Sequence, residues 1–188
     1  MGNVILIGFM GSGKTTVGLR LSYRLRQAVI DTDKEIEKEE KRTISDIFAQ
    51  DGEEYFRTKE TECLRKMIRD VNHHIISAGG GLPLREVNRR LLHELGKVFY
   101  LRADAETIYD RLKGDTTRPL LQGSDPMTKI RTLMEQRDAY YLDVADVVIQ
   151  VDGKSFEQII NEIEAQVKGR TEGKQQYSGW QTCRVRER

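Results

Sequence analysis

The sequence predicts an α/β domain whose mostly parallel sheet carries helices on both faces. Two observations predict it. Short apolar or β-branched runs alternate with longer helical patterns along most of the chain, as in crossover units between parallel strands. The first apolar run also passes straight into GFMGSGKTT, a glycine-rich turn that opens a helical stretch. With 188 residues and 38% apolar content, the chain is sized for one domain with its own core.

Val4–Ile7 reads as the first strand and Thr15–Gln27 as the helix after the glycine turn. Ala28–Asp31 is a second short apolar run, followed by a helical pattern over Lys34–Lys41. Thr43-Ile44-Ser45-Asp46 reads as a helix start, with Thr43 or Ser45 as the cap. It opens a short helix to Gln50, and Glu53–Asp70 carries a longer one. His74–Ala78 is the third strand and ends in three glycines; Arg85–Leu95 is the next helix. Lys97–Leu101 and Ala105–Lys113 form the fourth strand and its helix. The polar stretch that follows carries Arg118-Pro119, with Gly114 and Gly123 near its ends. It predicts a loop hinged on both sides, a mobile lid over about 114–125. Pro126–Tyr141, Val147–Val151 and Phe156–Lys168 complete the domain as helix, strand and helix. The domain thus spans 1–168. Lys168 to Arg188 holds six Lys/Arg, two Glu and the only tryptophan, Trp180. The segment 169–188 is expected to be a flexible, solvated basic tail.

Composition excludes several classes of function. A net charge of +1 gives no global field toward nucleic acid or a membrane surface. No run approaches the ~18 apolar residues of a membrane span, and the N-terminus lacks the features of a signal peptide. Leu6 stands where a myristoylation signal needs Ser or Thr. Cys63 and Cys183 are far apart and have no metal-ligand company, which argues against a disulfide framework or a zinc site. Cys63 and His73-His74 read as structural. The expected setting is the cytoplasm and the expected state a monomer.

Gly8, Gly13, Lys14 and Thr15 match G-x-x-x-x-G-K-[ST], between a predicted strand and a predicted helix. Glycines there let successive backbone N–H groups turn inward as a nest for phosphate oxygens. The helix adds its N-terminal partial charge. Gly11, Ser12, Gly13, Lys14, Thr15 and Thr16 are the predicted cradle for ATP. Lys14 can reach the outer phosphates, and the Thr15 hydroxyl can ligate Mg²⁺. No N-K-x-D guanine-reading motif occurs, which speaks against a GTPase. Asp31-Thr32-Asp33 ends the second strand, and two Asp spaced by one residue in a strand share a face. One can hold Mg²⁺ and the other can orient a substrate hydroxyl. An N-cap for the following helix is the plainer role. Gly79-Gly80-Gly81 exceeds what an ordinary turn needs, so backbone N–H groups there can touch a substrate or lie near the γ-phosphate.

GFMGSGKTT, DTDKEIE, DIFAQDGEEYFRTKE, AGGGLP, TTRPLL and RDAYY with a following AD occur in this order. Together they resemble the shikimate kinase family, over about Asn3 to Val151. The resemblance implies a nucleoside-monophosphate-kinase-like P-loop fold with a five-stranded parallel sheet of order 2-3-1-4-5. It implies ATP and shikimate as substrates, giving shikimate 3-phosphate and ADP, with Mg²⁺ beside ATP. Arg57 and Arg137 match the arginines for the substrate carboxylate, which suits the planar guanidinium fork. Asp33 matches the residue on the reacting hydroxyls, Asp31 the residue helping to hold Mg²⁺, and the triplet the substrate contact. Arg118 matches the lid arginine that reaches the phosphates, making Lys14, Asp33 and Arg118 the catalytic set. Arg111 and the backbone near Asp152 to Lys154 match, more loosely, the region around adenine. The chain departs from the family at Lys41-Arg42, where a glycine is common and a locally changed turn is expected. Ala78 and Ala139 also differ from frequent family residues. Two other readings remain open here: a P-loop kinase of another polar metabolite such as gluconate, and a non-catalytic nucleotide-binding regulator.

Overall fold

Five short strands, β1 (Asn3–Ile7), β2 (Ala28–Asp31), β3 (His74–Ser77), β4 (Gly96–Arg102) and β5 (Val147–Gln150), form one parallel sheet. Their order is β2-β3-β1-β4-β5, as the resemblance implied. The structure is a computed structural model that describes residues 2–113 and 125–169. Most of the predicted lid, with Arg118, and the tail from residue 170 lie outside the described residues.

Seven helices connect or follow the strands among the described residues: α1 (Lys14–Leu25), α2 (Thr32–Glu40), α3 (Ile44–Asp70), α4 (Glu86–Leu95), α5 (Ala105–Leu112), α6 (Pro126–Val144) and α7 (Phe156–Lys168). β1 is buried at every residue, and its alternate side chains feed two cores. Val4 and Leu6 meet Val17, Leu21, Ile108, Ile159 and Ile163 on the α1, α5 and α7 side. Ile5 and Ile7 meet Ile36, Phe56, Leu64, Leu92 and Val144 on the α2, α3 and α4 side. This is why the central strand is aliphatic throughout: a parallel strand covered on both faces has no solvent side.

At the amino edge of the sheet, Asn3 ties three elements. Its Nδ2 donates to the carbonyls of Val71 and Leu95 at 3.0 and 2.9 Å, and its Oδ1 accepts from His74 N at 2.9 Å. It is the backbone of His74 that makes this tie, and Cys63 is buried in α3.

Three boundaries differ from expectation for local reasons. The two predicted helices over 45–70 form one run broken at Gly52, whose φ of 82° and ψ of 176° are not helical. Thr43 caps that run in a reciprocal box with Asp46. Second, β2 stops at Asp31, and Asp33 already lies in the first turn of α2. The shared-face argument from strand alternation therefore does not apply to this pair. Third, Lys41 carries a left-handed φ of 54° at the end of α2. The non-glycine residue itself adopts the conformation that glycine favours, at a cost near ~1 kcal/mol.

Candidate active site

A cleft of about 360 Å³ opens at the carboxyl ends of the strands. It is lined by the loop after β1, by Asp31 and Asp33, by Gly79 and Gly80, and by Arg111 and Phe156.

The loop after β1 brings together Gly11, Ser12, Gly13, Lys14, Thr15 and Thr16. Gly11 and Gly13 have φ of 78° and 98°, a region that L side chains adopt only with strain. Gly13 is the N-cap of α1 and supplies no side-chain acceptor. The first-turn N–H groups are therefore left for an anion. Lys14 Nζ donates to the Gly8 and Phe9 carbonyls at 2.8 and 3.0 Å, which strap the loop in its curved form. Arg111 Nη1 donates to the Gly11 carbonyl at 3.1 Å. A Cβ on Gly13 would lie 3.8 Å from both Arg111 and the Phe156 ring, so these two side chains flank the loop.

Asp31 caps α2: its Oδ1 accepts from Asp33 N at 3.1 Å and from Lys34 N at 3.4 Å. The N-cap role is thus real. Oδ2 has no hydrogen bond among the described residues. Asp33 is different. Its Oδ1 is buried without a partner. Burial first, and then the charge of Asp31, push its carboxyl up to about 6, against the pull of Lys14 and Arg57.

The glycine triplet fits between these parts. Gly79 N–H donates to Thr32 Oγ1 at 2.8 Å, and a Cβ on Gly79 would fall on Asp33 Oδ1. A Cβ on Gly80 would lie 3.4 Å from the Gly8 carbonyl oxygen and 3.6 Å from Met10 N. A Cβ on Gly81 would fall on the Arg57 guanidinium. None of the three has a positive φ. Space, not dihedral freedom, explains Gly79 and Gly81; a Cβ on Gly80 would make only ordinary contacts.

Arg57 bonds Glu60 Oε2 at 2.8 Å through Nη1 and Glu53 Oε1 at 2.8 Å through Nη2. Arg137, on α6, lies 5.6 Å from the centre of the Phe9 ring. Both guanidiniums act on the Tyr141 phenol, but burial outweighs them and pushes its pKa up to about 12. The Tyr141 hydroxyl donates to the Gly80 carbonyl at 2.6 Å. Of the sequence-predicted site residues, Gly11, Gly13, Lys14, Thr15, Thr16, Asp31, Asp33, Gly79, Gly80 and Arg111 line the cleft; Ser12, Gly81, Arg57 and Arg137 are not part of its lining, and Arg118 lies outside the described residues.

The family model for shikimate kinase matches residues 10–168. The chain belongs to the shikimate kinase family. It is 41% identical over 172 residues to a shikimate kinase of Symbiobacterium thermophilum, covering 90% of this chain and 98% of that one. A Bacillus cereus shikimate kinase is 42% identical over 167 residues, covering 89% and 99%. Among solved structures, shikimate kinase from Acinetobacter baumannii in complex with shikimate superposes with a TM-score of 0.82 at 35% identity, covering 89% and 93% of the two chains. A deoxyadenosine kinase from M. mycoides with bound dATP, at 15% identity, TM-score 0.55, and coverage of 89% and 100%, shares the fold alone.

Within this family member, three residues matter that the motifs did not single out. Glu60 is 1% exposed, and its Oε1 is buried without a partner. Burial lifts its carboxyl to about 7, with Arg57 acting against the rise. The signal was its place one turn after Arg57, on the same helical face. Phe156 was read only as a helix start, yet its ring lines the cleft and takes Arg20 at 4.7 Å. Tyr141 was visible as the last letter of RDAYY, one turn after Arg137.

The donor set suits Mg²⁺. The Thr15 hydroxyl and the Asp31 carboxylate line the cleft next to the phosphate cradle, and both offer oxygen. Among the described residues no three His, Cys, Asp or Glu converge as a self-sufficient metal site. A Mg²⁺ held by one or two protein oxygens, with phosphates and waters for the rest, needs no such cluster.

Proposed function

We propose that ATP lies with its phosphates on Gly11 to Thr16 and that shikimate lies beyond Gly79 to Gly81, between Arg57 and Arg137. The reaction is transfer of the γ-phosphate to the 3-hydroxyl of shikimate, giving shikimate 3-phosphate and ADP. One observation carries this reading. Gly80 stands beside the phosphate loop: a Cβ on it would meet only loop backbone, with the Gly8 carbonyl oxygen at 3.4 Å and Met10 N at 3.6 Å. An acceptor held by the triplet is therefore placed beside a phosphate held by the loop, as transfer requires.

The roles follow from the environments. Asp33 lines the cleft, and neither of its carboxylate oxygens has a hydrogen bond among the described residues, so it orients the ring hydroxyl and can accept its proton. Its raised pKa suits that task near neutrality. Arg57 and Arg137 pair with the shikimate carboxylate, and Glu60 holds the inner Nη of Arg57. Lys14 exchanges loop carbonyls for phosphate oxygens and offsets charge as it develops. Thr15 and Asp31 would hold Mg²⁺, which would offset the negative charge of the phosphates. Arg111 and Phe156 would pack the adenine. Arg118 is assigned to the phosphates from the lid, where its charge and the exclusion of water act together. The proposed setting is the cytoplasm. The proposed state is a monomer.

An ATP-turnover assay with shikimate, with gluconate and with neither tests the reading. Shikimate alone should drive ADP release. Turnover driven by gluconate, or by neither, would replace it with one of the alternatives.

A further inference from the structure

Tyr141 is 1% exposed and stands one helical turn beyond Arg137. Its ring packs on Tyr100 at 4.9 Å between centroids, and Tyr100 is itself tied by its hydroxyl to Asp138 at 2.8 Å. The ring is thus fixed by packing. Its hydroxyl has a separate task, the 2.6 Å bond to the Gly80 carbonyl. A trans peptide sends its carbonyl and the next N–H in opposite directions. Holding the Gly80 oxygen on Tyr141 therefore turns the Gly81 N–H away from Tyr141. Gly79 N–H is already taken by Thr32. Among the described residues, the N–H groups of Gly80 and Gly81 have no acceptor. They lie where the Arg57 guanidinium crosses Gly81. Glycine peptides turn over easily because no Cβ resists the change, so each donor keeps one orientation only if the oxygen of its own peptide is held: Leu82 N–H holds the Gly79 oxygen at 3.1 Å, and Tyr141 holds the Gly80 oxygen.

We propose that Tyr141 is a positioning residue for the acceptor substrate: its hydroxyl locks the Gly80–Gly81 peptide so that the free Gly81 N–H keeps one direction, available to an anionic or hydroxylated ligand between Arg57 and Arg137. This rests on shikimate being the acceptor. The phenol stays protonated across the neutral range, since burial lifts it to about 12, and it remains a donor. The link also passes through Gly80 to the phosphate loop, so the acceptor donors are set against a fixed donor site.

Tyr141→Phe removes the bond and keeps the ring. The expected result is a shikimate KM raised ~5-fold to ~10-fold, the range of one lost hydrogen bond, with the ATP KM within about twofold. Calorimetry with shikimate alone should show the same loss in affinity. Glycine-selective ¹⁵N spectra give a readout that does not depend on turnover. Shikimate should shift the Gly81 amide in the native protein and shift it far less in the variant. An unchanged shikimate KM and unchanged amide response in a folded variant overturns the proposal. So does a uniform loss for both substrates that tracks thermal stability. Failure of the native protein to bind or phosphorylate shikimate overturns the functional reading instead, and the native control reports it separately.

Discussion

Two glycine-rich segments meet across the cleft, and they use glycine in opposite ways. After β1, Gly11 and Gly13 hold φ of 78° and 98°, so their backbone could carry a side chain only with strain. After β3, Gly79 and Gly81 have ordinary φ, and a side chain on either would land on Asp33 or Arg57. The first segment spends its freedom on curling N–H groups toward an anion. The second leaves room for two charged side chains that belong to other elements. The same substitution, glycine to alanine, should therefore damage different halves of one reaction.

The largest effect should come from the residue that the triplet makes room for. Asp33→Asn should lower turnover by ~10²-fold to ~10⁴-fold, the range for a lost acid–base group, with ATP affinity nearly intact in equilibrium binding. Gly79→Ala should copy that selectivity, because its Cβ displaces the Asp33 carboxylate. Weak ATP binding as the main defect of Gly79→Ala would break the comparison. Arg57→Ala should raise the shikimate KM about tenfold or more, since a charge-assisted bond contributes ~1.5–3 kcal/mol, and Gly81→Ala should move in the same direction. On the other side, Gly13→Ala should weaken ATP by about tenfold, given ~1–2 kcal/mol for a side chain in the left-handed region. Shikimate binding measured without nucleotide should not change.

The pH dependence sharpens the contrast further. The triplet side holds two carboxyls raised to about 6 and about 7, Asp33 and Glu60. For activity, kcat/KM for shikimate should fall below about pH 6 as Asp33 gains a proton. For stability the sign is opposite. A raised carboxyl binds its proton more tightly in the folded state, so the contribution is full below the unfolded value near 4 and is lost as pH rises through 6 to 7. The melting temperature of the ligand-free protein should drop between pH 5 and 7.5, and Glu60→Gln should flatten that slope. The smallest effect belongs to Lys41, a left-handed residue outside the site. Lys41→Gly should stabilise by up to ~1 kcal/mol and leave both KM values alone.

Most of the fold was legible because its signals are local. Alternating apolar runs located all five strands to within a residue or two, and Thr43 with Asp46 announced its helix. Gly52 marked a real break, although the helix resumes at once. The loop after β1 carries its whole chemistry in consecutive letters, so it could be read directly. The acceptor side could not. Arg57, Arg137 and the triplet are distant in sequence, and only the family pattern joined them. Glu60, Phe156 and Tyr141 escaped because each acts through a partner far along the chain: Asp33 and Gly79, the phosphate loop, and Gly80. The strand-alternation argument for Asp31 and Asp33 failed because the Asp31 carboxylate starts α2 at Thr32, two residues before the predicted Lys34. The two aspartates still line one cleft, but through a helix turn.

The break at Gly52 has a consequence for local unfolding. Before it, α3 buries only Ile47; after it, the helix buries Phe56, Thr61, Cys63, Leu64 and Met67 as well as Glu60. Opening free energy follows buried contact, and cooperative units end where the ladder of backbone bonds is interrupted. Amide hydrogens over 44–51 should therefore exchange with solvent through a small, frequent opening, while those from Phe56 onward wait for a much larger one. Arg57 stands on the slow side of that boundary, one residue past Phe56. The guanidinium assigned to the substrate carboxylate is thereby anchored in the persistent part of the helix, while the segment just before it opens and closes independently.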